Sequence, residues 1–312
     1  MHTNWKNAAF AAMLTLLPAT AAAYDLPPVN LGLTSFLDGG PPAGPGLYFQ
    51  QYLMYYTADE FKDGNGDSLP LPFSDPDLDS WVSLSQFIYQ SDRELLSGAR
   101  MGMNVIVPYA GLDMSPYHPA LADNGSGLGD IVLGPFLQWD PVMGENGPRF
   151  LQRVELQFIL PTGEYDNTKA INPGSNFFSF NPYWAATLFL TPRWTASWRL
   201  HYLWNDTNDD PAPGLDSVQA GQAVHANLST AWEVVEKRLR LGLNAYYLKQ
   251  LTETEANGVD RSNSKEQVLG IGPGGVYHFS PDNHIFVNLY FESAAENRTE
   301  GERFNVRWVH HF

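Results

Sequence analysis

No cysteine occurs anywhere in the chain, and no apolar run approaches the roughly 20 residues that a membrane-spanning helix requires. The first absence rules out a disulfide framework and a thiolate metal centre. The second rules out a helical membrane protein. Basic residues are scarce too: 18 Lys and Arg stand against 34 Asp and Glu, a formal net charge of -16. Nucleic-acid binding needs a basic footprint, so that class of partner is excluded. Aromatic residues, by contrast, supply 13% of the chain.

Residues 1–23 have the layout of a secretory signal peptide. Lys6 precedes an apolar run over residues 8–17, and Pro18 and the small-residue stretch Ala19-Thr20-Ala21-Ala22-Ala23 come next, with cleavage expected before Tyr24. Residues 24–46 differ from everything after them. Pro27-Pro28, Gly39-Gly40-Pro41-Pro42 and Pro45 argue against a regular strand. This stretch is either a periplasmic leader or a segment tucked into the rest of the protein as a partial plug, and the leader is the simpler reading.

From Leu47 to Phe312 the chain divides into segments of about ten residues with alternating character, twelve in all. They begin at Leu47, Trp81, Gly98, Leu128, Phe150, Phe177, Arg193, Gln222, Leu239, Glu266, His284 and Gly301. Long polar connections (58–79, 110–127, 163–175, 205–221, 252–265 and, shorter, 296–300) alternate with short ones near 91–97, 140–149, 191–192, 235–238 and 280–283. That rhythm is expected of an all-β, transmembrane, antiparallel up-and-down barrel of about 12 strands, with long extracellular loops and short periplasmic turns.

Side chains alternate along a strand, so each segment can be assigned two faces. In the fifth, Phe150, Val154, Leu156, Phe158 and Leu160 share one face with Gln152, while Arg153, Glu155 and Gln157 take the other. In the seventh, Trp194, Ala196, Trp198, Leu200, Tyr202 and Trp204 oppose Thr195, Ser197, Arg199 and His201. The last strand sets Phe304, Val306, Trp308, His310 and Phe312 against Arg303, Asn305, Arg307 and His311. Alternation alone does not say which face is inside. The placement of Tyr55, Tyr56, Trp81, Trp139, Trp184, Trp194, Trp204 and Trp308 near strand ends favours membrane girdles, and so an apolar exterior. A terminal Phe on such a strand resembles the signal by which the outer-membrane assembly machinery recognises its clients.

The segment Pro41-Pro42-Ala43-Gly44-Pro45-Gly46-Leu47-Tyr48-Phe49 and its continuation Tyr52-Leu53-Met54-Tyr55-Tyr56-Thr57-Ala58-Asp59-Glu60-Phe61-Lys62-Asp63 carry a family resemblance. So do Gly129-Asp130-Ile131, Gly134-Pro135, Gln138-Trp139, Leu160-Pro161-Thr162-Gly163-Glu164-Tyr165 and Gly272-Pro273. Together they resemble the SphA-like outer-membrane proteins described as "putative MetA-pathway of phenol degradation". The resemblance implies a β-barrel of Gram-negative bacteria, transporter-like, associated with breakdown of aromatic compounds. It brings no catalytic or ligand residues with it.

Charged and aromatic residues on the polar face are the candidate lining of a lumen: Arg153, Glu155, Arg199, His201, His225, Glu233, Arg240, Tyr246, Tyr290, Glu292, Arg303 and Arg307. Rings of charge tune selectivity in pores, and tyrosines stack on aromatic solutes. Any one of them could equally brace the wall, as an Arg153–Glu155 ladder would. His201, His225, Asn227 and Ser229 fall on neighbouring strands and evoke a barrel hydrolase, but alternation along one strand makes them polar lining first. No nucleophile elbow, Walker loop or dinucleotide fingerprint is present. Asp63-Gly64-Asn65-Gly66-Asp67-Ser68 begins like a calcium loop, yet Ser68 and Ser74 stand where Gly and Glu are needed, so it reads as a solvated turn. The acidic loop residues Asp206, Asp209, Asp210 and Asp216 suit divalent ions shared with lipopolysaccharide better than a dedicated site.

The expectation is therefore a non-enzymatic outer-membrane barrel without metal or cofactor, admitting small hydrophobic or aromatic molecules passively. Its partners are outer-membrane lipids, lipopolysaccharide, the assembly machinery and a solute. A structural or surface-interaction barrel is the alternative.

Overall fold

The computed structural model describes residues 26–40, 44–68, 77–95, 98–115 and 123–312. The expected signal peptide, its cleavage point at Tyr24, and Ser74 lie outside them. Twelve strands form the wall: β1 (Gly46–Phe61), β2 (Asp77–Glu94), β3 (Ala99–Ser115), β4 (Val132–Trp139), β5 (Gly147–Glu155), β6 (Tyr183–Phe189), β7 (Trp194–Asn205), β8 (Ala223–Val235), β9 (Leu239–Gln250), β10 (Gln267–His278), β11 (Asn283–Glu296) and β12 (Thr299–His311). Each pairs antiparallel with its neighbour in sequence. The ring closes where β1 meets β12, from Tyr48 opposite His311 to Phe61 opposite Thr299. The terminal Phe312 N–H donates to Leu47 O at 3.0 Å, so the chain end is stitched to the first strand. Closure leaves no unpaired edge, the condition for a sheet in lipid.

The burial pattern is that of a soluble protein turned inside out. Leu53, Phe87, Leu200, Leu228, Leu243, Ile271, Phe291 and Phe304 are exposed on the outer surface, while Arg153, Glu155, Arg199, His201, His225 and Arg303 are buried inside. Lipid, not water, is the solvent that stabilises such an exterior, because an outward charge at the midplane costs about 2–4 kcal/mol. Aromatic contacts mark both ends of the outer face. Phe49 packs on Phe87 and Trp308 near the short turns, and Tyr55 packs on Trp81 near the long loops. Gln152, the polar exception on its face, accepts from Trp184 Nε1 at 3.3 Å.

Three details differ from the sequence reading. Tyr56 is no girdle residue: adjacent side chains take opposite faces, and with Tyr55 outside, Tyr56 is 3% exposed and points in. The 140–149 connection is mostly hairpin, with Val142–Gly144 paired to the start of β5. The fourth, fifth and sixth strands are each broken. Short pieces at Ser126–Leu128, Phe158–Ile159 and Ser179–Phe180 continue the wall beyond interruptions near Asp130, Leu156 and Pro182. Leu156 N–H to Pro135 O, Leu160 N–H to Ile131 O and Asn181 N–H to Gln157 O carry the ladder across them. The motif residue Asp130 organises this corner, its carboxylate accepting N–H groups of Thr162, Gly163 and Ser175 at 2.8–3.1 Å.

On the long-loop side, two loops join in a small sheet of Thr207–Asn208, Val218–Gln219, Glu255–Ala256 and Val259–Asp260. The calcium-like loop is a turn closed on itself, Asp63 Oδ1 accepting from the N–H groups of Asn65 and Asp67. Those two donors hold the Asp63 carboxyl below the usual carboxylate range. Among the described residues no group of three or more His, Cys, Asp or Glu is placed to hold a metal.

Candidate functional site

Residues 26–40 run through the lumen, against the expectation of a free periplasmic leader. Proline and glycine keep this stretch from forming a strand, so its backbone groups must find partners elsewhere, and the inward polar side chains supply them. Near the long-loop end, Leu26 and Leu31 pack with Phe177, Leu203, Leu248, Val268, Tyr246 and Tyr290. At mid-height Gly32 is held from three strands: its N–H donates to Asn227 Oδ1 at 2.7 Å, and its carbonyl accepts from Tyr290 OH at 2.9 Å and Asn305 Nδ2 at 2.7 Å. Asn227 Nδ2 also reaches Asn30 O, and Arg303 Nη1 reaches Leu31 O, each at 3.1 Å. Toward the short turns Phe36 joins Tyr48, Ile88, Phe136, Val276 and Phe286.

The tightest tether lies at Asp38, whose two oxygens accept Arg199 Nε at 2.8 Å and Nη2 at 2.6 Å. Burial works against the charge on Asp38, but the guanidinium of Arg199, seconded by Arg307 and by the Gly39 N–H, outweighs it and holds the carboxyl below its ordinary value. One residue on, Gln138 Nε2 donates to Gly39 O at 2.9 Å. Two glycines make the fit possible. Gly32 has φ 75° and a Cβ there would lie 2.6 Å from the Tyr290 ring; Gly39 has φ 86° and a Cβ would lie 2.6 Å from Ala186 Cα. Both the backbone conformation and the space exclude a side chain.

All the candidate lumen residues fall on the inner face, but they do different things. Glu155 is fully buried and takes hydrogen bonds from Asn104, Gln157 and Tyr183 OH. Arg153 does not ladder with it: two residues apart on one strand, they reach different neighbours, and Arg153 donates to Gln138 at 2.9 Å while lying 4.0 Å over the Phe136 ring. Glu292 accepts from Tyr56 OH and Tyr246 OH at 2.7 Å, with Arg303 Nη2 at 3.8 Å. Tyr290 is spent on Gly32. Glu233 and Arg240 pair at 2.6 Å, and Arg240 also reaches Arg193 O, so both brace the short-turn rim.

His201 and His225 stack with ring centroids 4.0 Å apart, and both share Asn181 Oδ1 at 3.1 Å. Among the described residues Ser229 Oγ has no hydrogen-bond partner, so neither imidazole contacts it as a base would contact a nucleophile. The lumen is also less polar than expected, since Leu203, Leu248, Val268, Val276 and Val309 face inward to receive the plug. Sequence reasoning put Asn227 and Asn305 on the polar face without seeing that they hold residues 26–40, and it did not single out Asp38, Asn181 or Gln138 as lumen residues. For Asn181, Asn227, Gln138 and Asn305 the signal was an uncharged amide at an inward position opposite a segment that contains glycine; Asp38, on that segment itself, gave none.

Below the plug, toward the short turns, a cavity of about 800 Å³ remains. Asp38 and Gly39 form part of its roof, Tyr52, Ile88, Phe286 and Val309 part of its wall, and Glu236, Lys237 and Arg238 part of its rim.

Comparison with known proteins adds three findings. The family described as "Putative MetA-pathway of phenol degradation" matches residues 58–308. An outer membrane channel of Pseudomonas putida F1 superposes with a TM-score of 0.76 at 19% identity, covering 91% of this chain and 100% of that one. The translocator domain of the autotransporter NalP from Neisseria meningitidis gives 0.51 at 11% identity, with 98% of each chain covered. At such identities the likeness is one of fold. No curated protein matches.

Proposed function

This chain belongs to the "Putative MetA-pathway of phenol degradation" family, and from that premise and the lumen geometry we infer an outer-membrane channel for passive entry of small hydrophobic or aromatic molecules. The observation that carries the reading is the occupied lumen. Residues 26–40 fill the barrel with ordered backbone hydrogen bonds and apolar side chains, so the path is no wide aqueous pore for hydrophilic solutes. The cavity below presents aromatic and aliphatic groups, among them Tyr52, Ile88, Phe286 and Val309, that suit the apolar part of a solute. With no energy source in the barrel, net movement follows the solute gradient. The superposed Pseudomonas putida protein, a channel by its own description, supports the reading.

The solvent of the exterior would be outer-membrane lipid and lipopolysaccharide, reached through the barrel assembly machinery. The test is uptake of a small aromatic solute into liposomes alongside conductance in planar bilayers, for the intact protein and for a variant lacking residues 26–40. The deletion is expected to raise conductance; folded protein giving neither uptake nor conductance would end the channel reading. The sheet formed between long loops favours a second role as an outer-surface contact. Deleting residues 207–219 and 255–260 without effect on uptake would separate that role from transport.

A further inference from the structure

The cavity below the plug is electropositive in a strongly acidic chain. Its lining includes the cations of Arg153, Arg199, Arg307, Lys237 and Arg238. Among the described residues only two carboxylates, Asp38 and Glu236, face them there, although the formal net charge of the whole protein is -16. Arg199 and Asp38 satisfy each other through two hydrogen bonds. Glu236, Lys237 and Arg238 stand exposed in the turn after β8.

Arg307 is the anomaly. It is 8% exposed. Its guanidinium carbon lies 3.7 Å from the centre of the Phe286 ring and 5.8 Å from that of Tyr52. Among the described residues its Nε has no hydrogen-bond partner, and it enters none of the ion pairs they form. The carboxylate whose field it feels, Asp38, has both oxygens engaged by Arg199. A ring face attracts the cation but accepts none of the five N–H groups that lie in the guanidinium plane. Burying such a fork without acceptors is costly unless a ligand supplies them. A carboxylate, like a phosphate, presents two oxygens that match the fork. The neighbouring Phe286, Ile88 and Val309 offer nothing to an inorganic anion, but they suit an apolar body attached to a carboxylate.

We propose that this cavity binds an amphipathic organic carboxylate, its head on Arg307 and its aromatic or aliphatic body against Phe286, Ile88 and Val309. Arg153, 8% exposed and also on the cavity wall, adds a second positive charge. The proposal deepens the channel reading by assigning a solute class, and it rests on that reading for the route by which the solute arrives.

The experiment is calorimetric titration of the folded, full-length mature protein at pH 7 with 2-naphthoate, its neutral analogue 2-naphthamide, and sulfate. Folding of each variant is checked by the compact, heat-sensitive band on a gel. Naphthoate is expected to bind more tightly than either comparison ligand. Arg307→Gln is expected to weaken naphthoate by roughly ten- to a hundredfold, the worth of a charge-assisted pair, while naphthamide is unchanged. Arg307→Lys recovers part of the loss. Arg100→Gln removes an equal charge from a pair with Asp140 outside the cavity and is expected to change nothing. If Arg307→Gln fails to fold, Arg153→Gln carries the same test.

Equal affinity for naphthoate and naphthamide, full affinity in Arg307→Gln, or sulfate binding as tightly as naphthoate would each overturn the proposal. Liposome flux keeps the two claims apart. Flux of neutral aromatics without naphthoate binding sinks the site and leaves the channel; naphthoate binding without any flux does the reverse.

Discussion

Asp38→Asn is the sharpest test of how residues 26–40 are held. The substitution keeps the shape of the side chain and removes the charge opposite Arg199, leaving a guanidinium with 10% side-chain exposure facing an amide. Removing one partner of a buried pair costs about 3–5 kcal/mol. Because Asp38 lies on the plug and Arg199 on β7, the cost falls on the docked state, and water entering an opened lumen would relieve it. The ratio of docked to undocked plug should therefore fall by about two to four orders of magnitude.

The holds at Gly32 and Gly39 remain, so the variant should still form a barrel. Two measurements track the change: opening events in planar bilayers, and hydrogen exchange of the amides of residues 26–40, led by the Gly32 N–H bonded to Asn227. Replacing both partners with apolar residues, as in Asp38→Leu with Arg199→Met, should cost less than Asp38→Asn alone, because no charge is then stranded. Unchanged conductance and exchange in Asp38→Asn would refute the argument that this pair holds the plug.

Gly32→Ala should undock the same segment by another route, adding a methyl group against Tyr290 at φ 75°, and would appear as lost amide protection around residue 32 with the barrel's heat-sensitive band intact. Acid should have little effect on the plug until the pH falls below the ordinary aspartate value of 3.8. The depressed Asp38 value means that its contribution is complete above that point and is lost only as the pH drops through the lower folded-state value, so conductance that rises on going from pH 7 to pH 5 would contradict it. Leu228→Arg, on the exposed outer face of β8, should cost about 2–4 kcal/mol in denaturant-folding titrations in lipid if it lies near the midplane. Asp130→Ala leaves the three N–H groups of this corner without their acceptor, and hydrogen exchange over residues 162–175 should speed up while the rest of the wall is unaffected.

Strand number and facing were legible because lipid imposes a strict rule on every second residue. In β7, Trp194 to Trp204 alternate against Thr195 to His201 without a slip, and the structure keeps every one on its expected side. The misreadings come from places where that rule was not enforced or does not speak. Tyr55 and Tyr56 look alike as girdle residues until alternation is enforced, and then only one can face lipid. Arg153 and Glu155 look like a ladder, yet Glu155 is claimed by Tyr183 from β6 and Asn104 from β3. Partners brought from distant strands are invisible along one strand.

The sequence by itself determined a closed twelve-stranded wall with polar groups inward, since periodicity and loop rhythm are local properties and the membrane reads them residue by residue. Only the tertiary structure decided what fills the wall. Residues 26–40 have no periodicity to interpret. Their place depends on Asn227, Arg199, Gln138, Tyr290 and Asn305, drawn from five different strands and converging on one short segment. Such convergence exists only once the ring has closed.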